Sequence, residues 1–112
     1  MNDLPLEISV QEAAVLLDNQ PQLRLIDVRE DDEYAICKIE GSQLVPLSNF
    51  AELVPGALGE PSGEQILVYC HHGARSLRAA NYLRQKGYTG AQSVAGGIDQ
   101  WSLQVDPEVP RY

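Results

Sequence analysis

A chain of 112 residues fits a single domain over residues 1–112, and its 44% apolar and 21% charged composition is that of a globular protein able to bury a core without disulfides. A net charge of −8, with no basic patch to neutralise phosphates, excludes a nucleic-acid binder. No run approaches the ~20 apolar residues of a membrane span; MNDLPLEIS lacks a leader pattern, so a cytoplasmic address with reduced cysteines is expected.

Ser9-Val10-Gln11-Glu12 reads as a capping box opening a helix with Ala13, Ala14, Leu16 and Leu17 on one side. Leu23 to Val28 is a strand. Glu30 to Glu33 then places acid at the start of a short helix, a solvated run where the dipole favours negative charge. Leu44-Val45 is a brief strand stopped by Pro46, and Ser48 is predicted to cap a helix through Leu53. Pro55 to Gly63, rich in proline and glycine, reads as a surface loop.

Ile66 to Tyr69 is a continuous apolar run, the mark of a strand buried on both faces. Ser76 to Lys86 is a helix with Ala79, Ala80 and Leu83 facing the core, stopped by Gly87. Gln92 to Val94 is a last strand, followed by a tight turn at Gly96-Gly97 and a helix holding Ile98 and Trp101. Short strands alternating with helices predict an α/β domain with a mostly parallel sheet.

The chemistry concentrates in Cys70-His71-His72-Gly73-Ala74-Arg75-Ser76. A cysteine at the C-terminal tip of a buried strand lies on the edge where open α/β sheets bind ligands. The following loop has no proline, so every residue offers an N–H, and Gly73 lets the loop curl into an anion-binding nest. Arg75 adds positive charge, and four of the eight basic residues (Arg75, Arg78, Arg84, Lys86) follow closely. Each feature favours thiolate over thiol at Cys70. In sulfur relay the larger gain is in the second half-reaction, where Cys70 is the leaving group.

Other readings of these residues differ in their demands. A cysteine phosphatase wants Cys-x5-Arg to wrap a tetrahedral phosphoryl group, but Ser76 stands at that position and Arg75 comes one early. A metal at Cys70, His71 and His72 would need consecutive side chains to converge on one ion, without Cys-x-x-Cys or helical His spacing. A lone thiol in an anion nest needs no general base, so His72 reads as a hydrogen-bonding surface residue. Cys37 reads as a small buried residue, a resolving thiol only if it lies close to Cys70.

Asp27-Val28-Arg29-Glu30 with Glu33-Tyr34 and Ile39-Glu40-Gly41-Ser42 resembles the first motif of the rhodanese family. Cys70-x-x-Gly73-x-Arg75-Ser76 is similar to its active-site loop, and Val94-Ala95-Gly96-Gly97-Ile98-x-x-Trp101 to its closing motif. The resemblance implies a rhodanese-like central five-stranded parallel sheet with helices on both faces. It implies a thiosulfate sulfurtransferase, without cofactor or metal, that works by ping-pong transfer through a Cys70 persulfide. The partners would be a small sulfur-donor anion such as thiosulfate, or a protein persulfide, and an acceptor thiol, cyanide or sulfur-carrier protein. Asp27 would brace the loop by hydrogen bonds, while Arg29 and Arg75 support geometry or bind the anionic donor. His71 and His72 occupy variable positions that could tune the donor. The tail Asp106 to Tyr112 also resembles the endings of rhodanese domains attached to adenylyltransferases that activate sulfur carriers. A non-catalytic binding module of this fold is the alternative.

Overall fold

A computed structural model describes residues 4–112; residues 1–3, which open the stretch read for a leader, lie outside the described residues. The strands are β1 (Glu7–Ile8), β2 (Arg24–Asp27), β3 (Gln43–Leu44), β4 (Gln65–Tyr69) and β5 (Gly90–Val94), and the helices are α1 (Val10–Asn19), α2 (Asp31–Ile36), α3 (Phe50–Leu58), α4 (Ala74–Gln85) and α5 (Gly97–Gln104). The sheet order is β1-β5-β4-β2-β3, and every pairing is parallel. This is the five-stranded parallel sheet implied by the resemblance.

Side-chain alternation along the central strands divides the core. Ile26, Val28, Ile66 and Val68 pack with Phe50, Val54, Leu58, Ala79, Ala80 and Leu83 from α3 and α4. Leu25, Leu67, Tyr69 and Val94 pack on the other face with Val10 and Ala13 of α1 and Ile98 and Trp101 of α5. Period-two alternation therefore sends successive residues of one strand into two different cores. No helix among the described residues is long and apolar enough to cross a membrane.

At α1 the expected capping box is present: Glu12 N donates to Ser9 Oγ at 3.1 Å, and Ser9 N donates to Glu12 Oε1 at 3.3 Å. The stretch after Pro46 differs from the reading. Ser48 caps nothing; it lies in a 3-10 turn over Leu47–Asn49, and its hydroxyl donates to Glu30 Oε1 at 2.7 Å. The helix then runs from Phe50 through Pro55 to Leu58, well into the segment read as a loop. A proline inside a helix costs about 3 kcal/mol. Burying Phe50, Val54 and Leu58, spaced four apart on one face, returns roughly 1.5–3 kcal/mol each, so packing outweighs the breaker.

Two further differences concern element ends. β1 has only two residues, too few for a periodic signal, and exists because Glu7 and Ile8 pair with Ser93 and Val94. α4 begins at Ala74 instead of Ser76, so Arg75 belongs to its first turn.

The C-terminal end of β2 carries a fully buried ion pair, Asp27 and Arg29, both side chains 0% exposed. Asp27 Oδ1 accepts from the Arg29 backbone N–H and Nε at 2.9 and 3.0 Å, and Oδ2 accepts from NH2 at 2.7 Å. The remaining guanidinium hydrogens go to the Cys37 carbonyl (2.6 Å), the Glu33 carbonyl (3.4 Å) and the Tyr112 hydroxyl (2.8 Å). The pair thus ties β2, α2 at Glu33 and at its C-cap, and the C-terminal tail into one network. Removing one partner strands a buried charge: Arg29→Met is expected to lower unfolding free energy by about 3–5 kcal/mol in urea titrations. A loss below about 1 kcal/mol would show that Asp27 finds another partner.

Candidate active site

Cys70 follows β4 directly, and its side chain is 1% exposed. Its sulfur accepts hydrogen bonds from the Gly73 N–H at 3.0 Å and the Ser76 N–H at 3.3 Å. The Ser76 hydroxyl lies 3.5 Å from the same sulfur, 2.7 Å from the Ser93 hydroxyl, and donates to the Gly73 carbonyl at 3.2 Å. Ala74 and Arg75, in the first turn of α4, have N–H groups without an intrahelical acceptor. Two backbone amides therefore converge on the sulfur at the N-terminal end of a helix, where N–H groups and the helix dipole favour anionic ligands.

Two glycines make this loop possible. Gly73 stands at φ +114°, in the region that side-chain-bearing residues rarely adopt, and turns the chain into α4. Gly97 stands at φ +60°, and a Cβ there would lie 2.3 Å from the Cys70 carbonyl oxygen. The close approach lets the first turn of α5 hold the loop's outer carbonyls: Ile98 N donates to Cys70 O at 2.9 Å and Asp99 N to His71 O at 3.1 Å. Gly96-Gly97 is thus the tight turn anticipated from sequence, passing backbone beside the site.

Asp27, Arg29 and Arg75, the charged residues expected around the loop, are each held in an ion pair. No hydrogen bond of the Asp27 carboxylate reaches residues 70–75 among the described residues; the carboxylate is spent on Arg29. Asp27 therefore acts on the site at one remove. Arg29 is enclosed and its donors are consumed, so it has nothing left for an anionic donor. Arg75 makes a bidentate pair with Glu33, NH1 to Oε1 at 2.7 Å and NH2 to Oε2 at 2.9 Å, linking α4 to α2. That guanidinium, with the Glu30 N–H and the Tyr112 hydroxyl, holds the Glu33 carboxyl down at about 2 against the opposing effect of burial.

Glu33 and Tyr112 lie in segments that carry the family resemblance, but sequence reasoning assigned neither a role at the site. Glu33 sits in an acidic run indistinguishable from an ordinary helix start. Tyr112 accepts from Arg29 NH1 and donates to Glu33 Oε2 at 2.9 Å. Burial, with Glu33 nearby, pushes its phenol up to about 12. Its ring stacks on His71 at 3.9 Å between centroids and 7° between planes, and His72 stacks on the other face at 3.9 Å and 28°. Burial and then the neighbouring His72 lower His71 below its ordinary value, and its Nε2 is buried without a partner.

His72, its side chain 66% exposed, lies 3.9 Å from Asp99, whose carboxylate pairs with Arg111 at 2.9 Å. Potential ligand atoms of His71, His72 and Asp99 lie within 4.8 Å of one another. Stacked imidazoles keep their lone pairs in nearly parallel planes, however, and cannot both aim at one ion between them. Cys37 is buried in the core on the α1–α5 face, with its thiol on the Pro110 carbonyl at 3.3 Å, whereas Cys70 belongs to the core on the α3–α4 face. The sheet stands between the two free thiols.

Comparison with known proteins agrees with this geometry. The family profile described as Rhodanese-like domain matches residues 9–104. The chain is 38% identical over 99 residues to adenylyltransferase and sulfurtransferase MOCS3-1 of Zea mays, covering 85% of this chain and 21% of that protein. It is 28% identical to thiosulfate sulfurtransferase GlpE of Pseudoalteromonas translucida, covering 93% and 95%. The structure of the human single-domain sulfurtransferase TSTD1 superposes with a TM-score of 0.80 at 28% identity, covering 90% of this chain and 98% of that one. The chain spans less than a third of the length of several curated relatives it matches.

Two outcomes test the geometry. Gly97→Ala must strain the backbone and push against the Cys70 carbonyl, so a loss of about 2 kcal/mol or more is expected in urea unfolding; an unchanged midpoint would show that the loop yields freely. Glu33 sits at about 2 when folded and near ~4.3 when unfolded. Its stabilising share is complete above the unfolded value and is lost as pH falls toward the folded one. Stability measured from pH 5 down to 2 should therefore fall less steeply in Glu33→Gln than in the parent.

Proposed function

The chain belongs to the rhodanese-like domain family, and we propose that it is a sulfurtransferase that carries sulfane sulfur on Cys70 as a persulfide. The observation that carries the reading is the pair of amide hydrogen bonds converging on the Cys70 sulfur from Gly73 and Ser76. Donors placed where negative charge resides favour the attacking thiolate, the anionic persulfide, and the thiolate that leaves when the sulfur is passed on.

In the first half-reaction the Cys70 thiolate attacks the outer sulfur of a donor, the donor's S–S bond breaks, and its electron pair leaves with the remainder of the donor. In the second, an acceptor nucleophile attacks the outer persulfide sulfur and Cys70 departs as thiolate. Neither step needs a proton from His72. Both can be served by groups the chain itself provides, since amide dipoles are already oriented and need no reorganisation. Thiosulfate or a protein persulfide is the donor class, and a thiol, cyanide or a sulfur-carrier protein the acceptor class, with a cytoplasmic setting suited to both.

The phosphatase alternative is disfavoured by the occupation of Arg75. In the described structure both terminal nitrogens of its guanidinium are bound to Glu33, leaving no fork directed at a phosphoryl group. Binding without turnover is the remaining alternative, and the chemistry separates it directly. Incubation with thiosulfate should add about 32 Da, one sulfur atom, to the intact mass; cyanide should remove it, and Cys70→Ser should never acquire it. An adduct that persists in Cys70→Ser would sink the mechanism.

A further inference from the structure

Among the described residues, three arginines near the loop are ion-paired. Arg29 is paired with Asp27, Arg75 with Glu33, and Arg111 with Asp99. His71 is lowered below its ordinary value by burial. Arg78, one turn further along α4, lines a separate groove with Leu47, Phe50 and Tyr82. Glu30, hydrogen-bonded to Ser48, adds a carboxylate at the start of α2. The attraction this loop offers to an anion therefore comes from the backbone: amide N–H groups and the N-terminus of α4, together equivalent to roughly half a charge.

We propose that Glu33 is a specificity-determining residue: by neutralising Arg75 it lowers the preference of the loop for dianionic donors such as thiosulfate and favours donors presenting the transferable sulfur with one negative charge or none. The proposal rests on the sulfur-transfer reading above and names the donor class of that same site. The Arg75 side chain is 32% exposed and that of Glu33 17%, so the pair lies near the surface of the loop, where an approaching donor senses both charges together. Freed of Glu33, the same guanidinium would present an unmatched fork of donors suited to oxyanions.

The matched probes are thiosulfate and methanethiosulfonate, which carry the same transferable sulfur but differ by one charge. With either, the Cys70 thiolate forms an S–S bond to the outer sulfur, the donor's S–S bond breaks, and the electron pair leaves with sulfite or with methanesulfinate. Total charge is conserved: three negative charges on each side for thiosulfate, two for methanethiosulfonate.

The experiment measures kcat/KM for both donors, with cyanide as the common acceptor, in the parent, Glu33→Gln, Glu33→Asp and Arg75→Gln. Glu33→Gln is expected to raise the thiosulfate-to-methanethiosulfonate ratio about tenfold, mainly through KM for thiosulfate, the size expected for one charge acting across several ångströms of partly screened surface. Glu33→Asp, which keeps the charge, should hold the ratio within about twofold of the parent. Arg75→Gln, which leaves Glu33 unmatched, should move the ratio downward. A purely structural role would change both donors alike, and parallel changes overturn the proposal, whichever of the two opposing variants folds. Failure of the parent to use either donor would overturn the reading that Cys70 takes sulfur from small anionic donors, a result distinguishable from an unmoved ratio.

Discussion

The site depends on where two carbonyls are held. A loop can present its N–H groups inward only if its C=O groups are satisfied elsewhere, because every peptide unit carries both. Here the carbonyls of Cys70 and His71 are taken by the Ile98 and Asp99 amides at the start of α5, and the Gly73 carbonyl by the Ser76 hydroxyl and the Leu77 amide. With those acceptors occupied, the inward amides have the Cys70 sulfur as their partner. Gly97 is the backbone condition for this, since no side chain fits between α5 and the loop. The rest of the fold serves to bring α5 to that place: β4 and β5 are neighbours, so the residues leaving both strands emerge side by side.

A second network holds the outer wall. Asp27 fixes Arg29, Arg29 grips the Glu33 and Cys37 carbonyls and the Tyr112 hydroxyl, and Tyr112 donates to the Glu33 carboxylate. Glu33 in turn holds Arg75 at the first turn of α4. The C-terminal segment thus belongs to the wall of the site: Tyr112 and His72 sandwich His71, and Arg111 and Pro110 are anchored to Asp99 and Cys37. Among the described residues, the arginines of this wall, Arg29, Arg75 and Arg111, are each paired with a carboxylate.

Much of this was legible in the residues. The buried run Ile66 to Tyr69, the capping box at Ser9 and the Gly73-containing loop after Cys70 each carry a local signal that the structure preserves, because strand burial, helix capping and tight turns are decided over a few residues. The α3 segment misled because Pro55 and the glycines near it are local signals, whereas the burial of Phe50, Val54 and Leu58 against the sheet is tertiary. β1 escaped because its two residues become a strand only through β5. Around the site, the position of Cys70 was plain, but the partners of Arg29 and Arg75 were not. An arginine reads as available charge until its counterion, here at Glu33 across a different helix, is located in space.

The placement of the two cysteines on opposite faces of the sheet bears on how the protein meets oxidants. Oxidation of a thiolate to sulfenic acid is commonly arrested by a nearby second thiol, which converts it to a disulfide before it climbs to sulfinic or sulfonic acid. Cys37 cannot serve, because the sheet separates it from Cys70 and its thiol is committed to the tail. A sulfenic acid on Cys70 therefore has to be resolved by a thiol from another molecule. Protection in the meantime falls to burial: enclosure of the sulfur limits peroxide access.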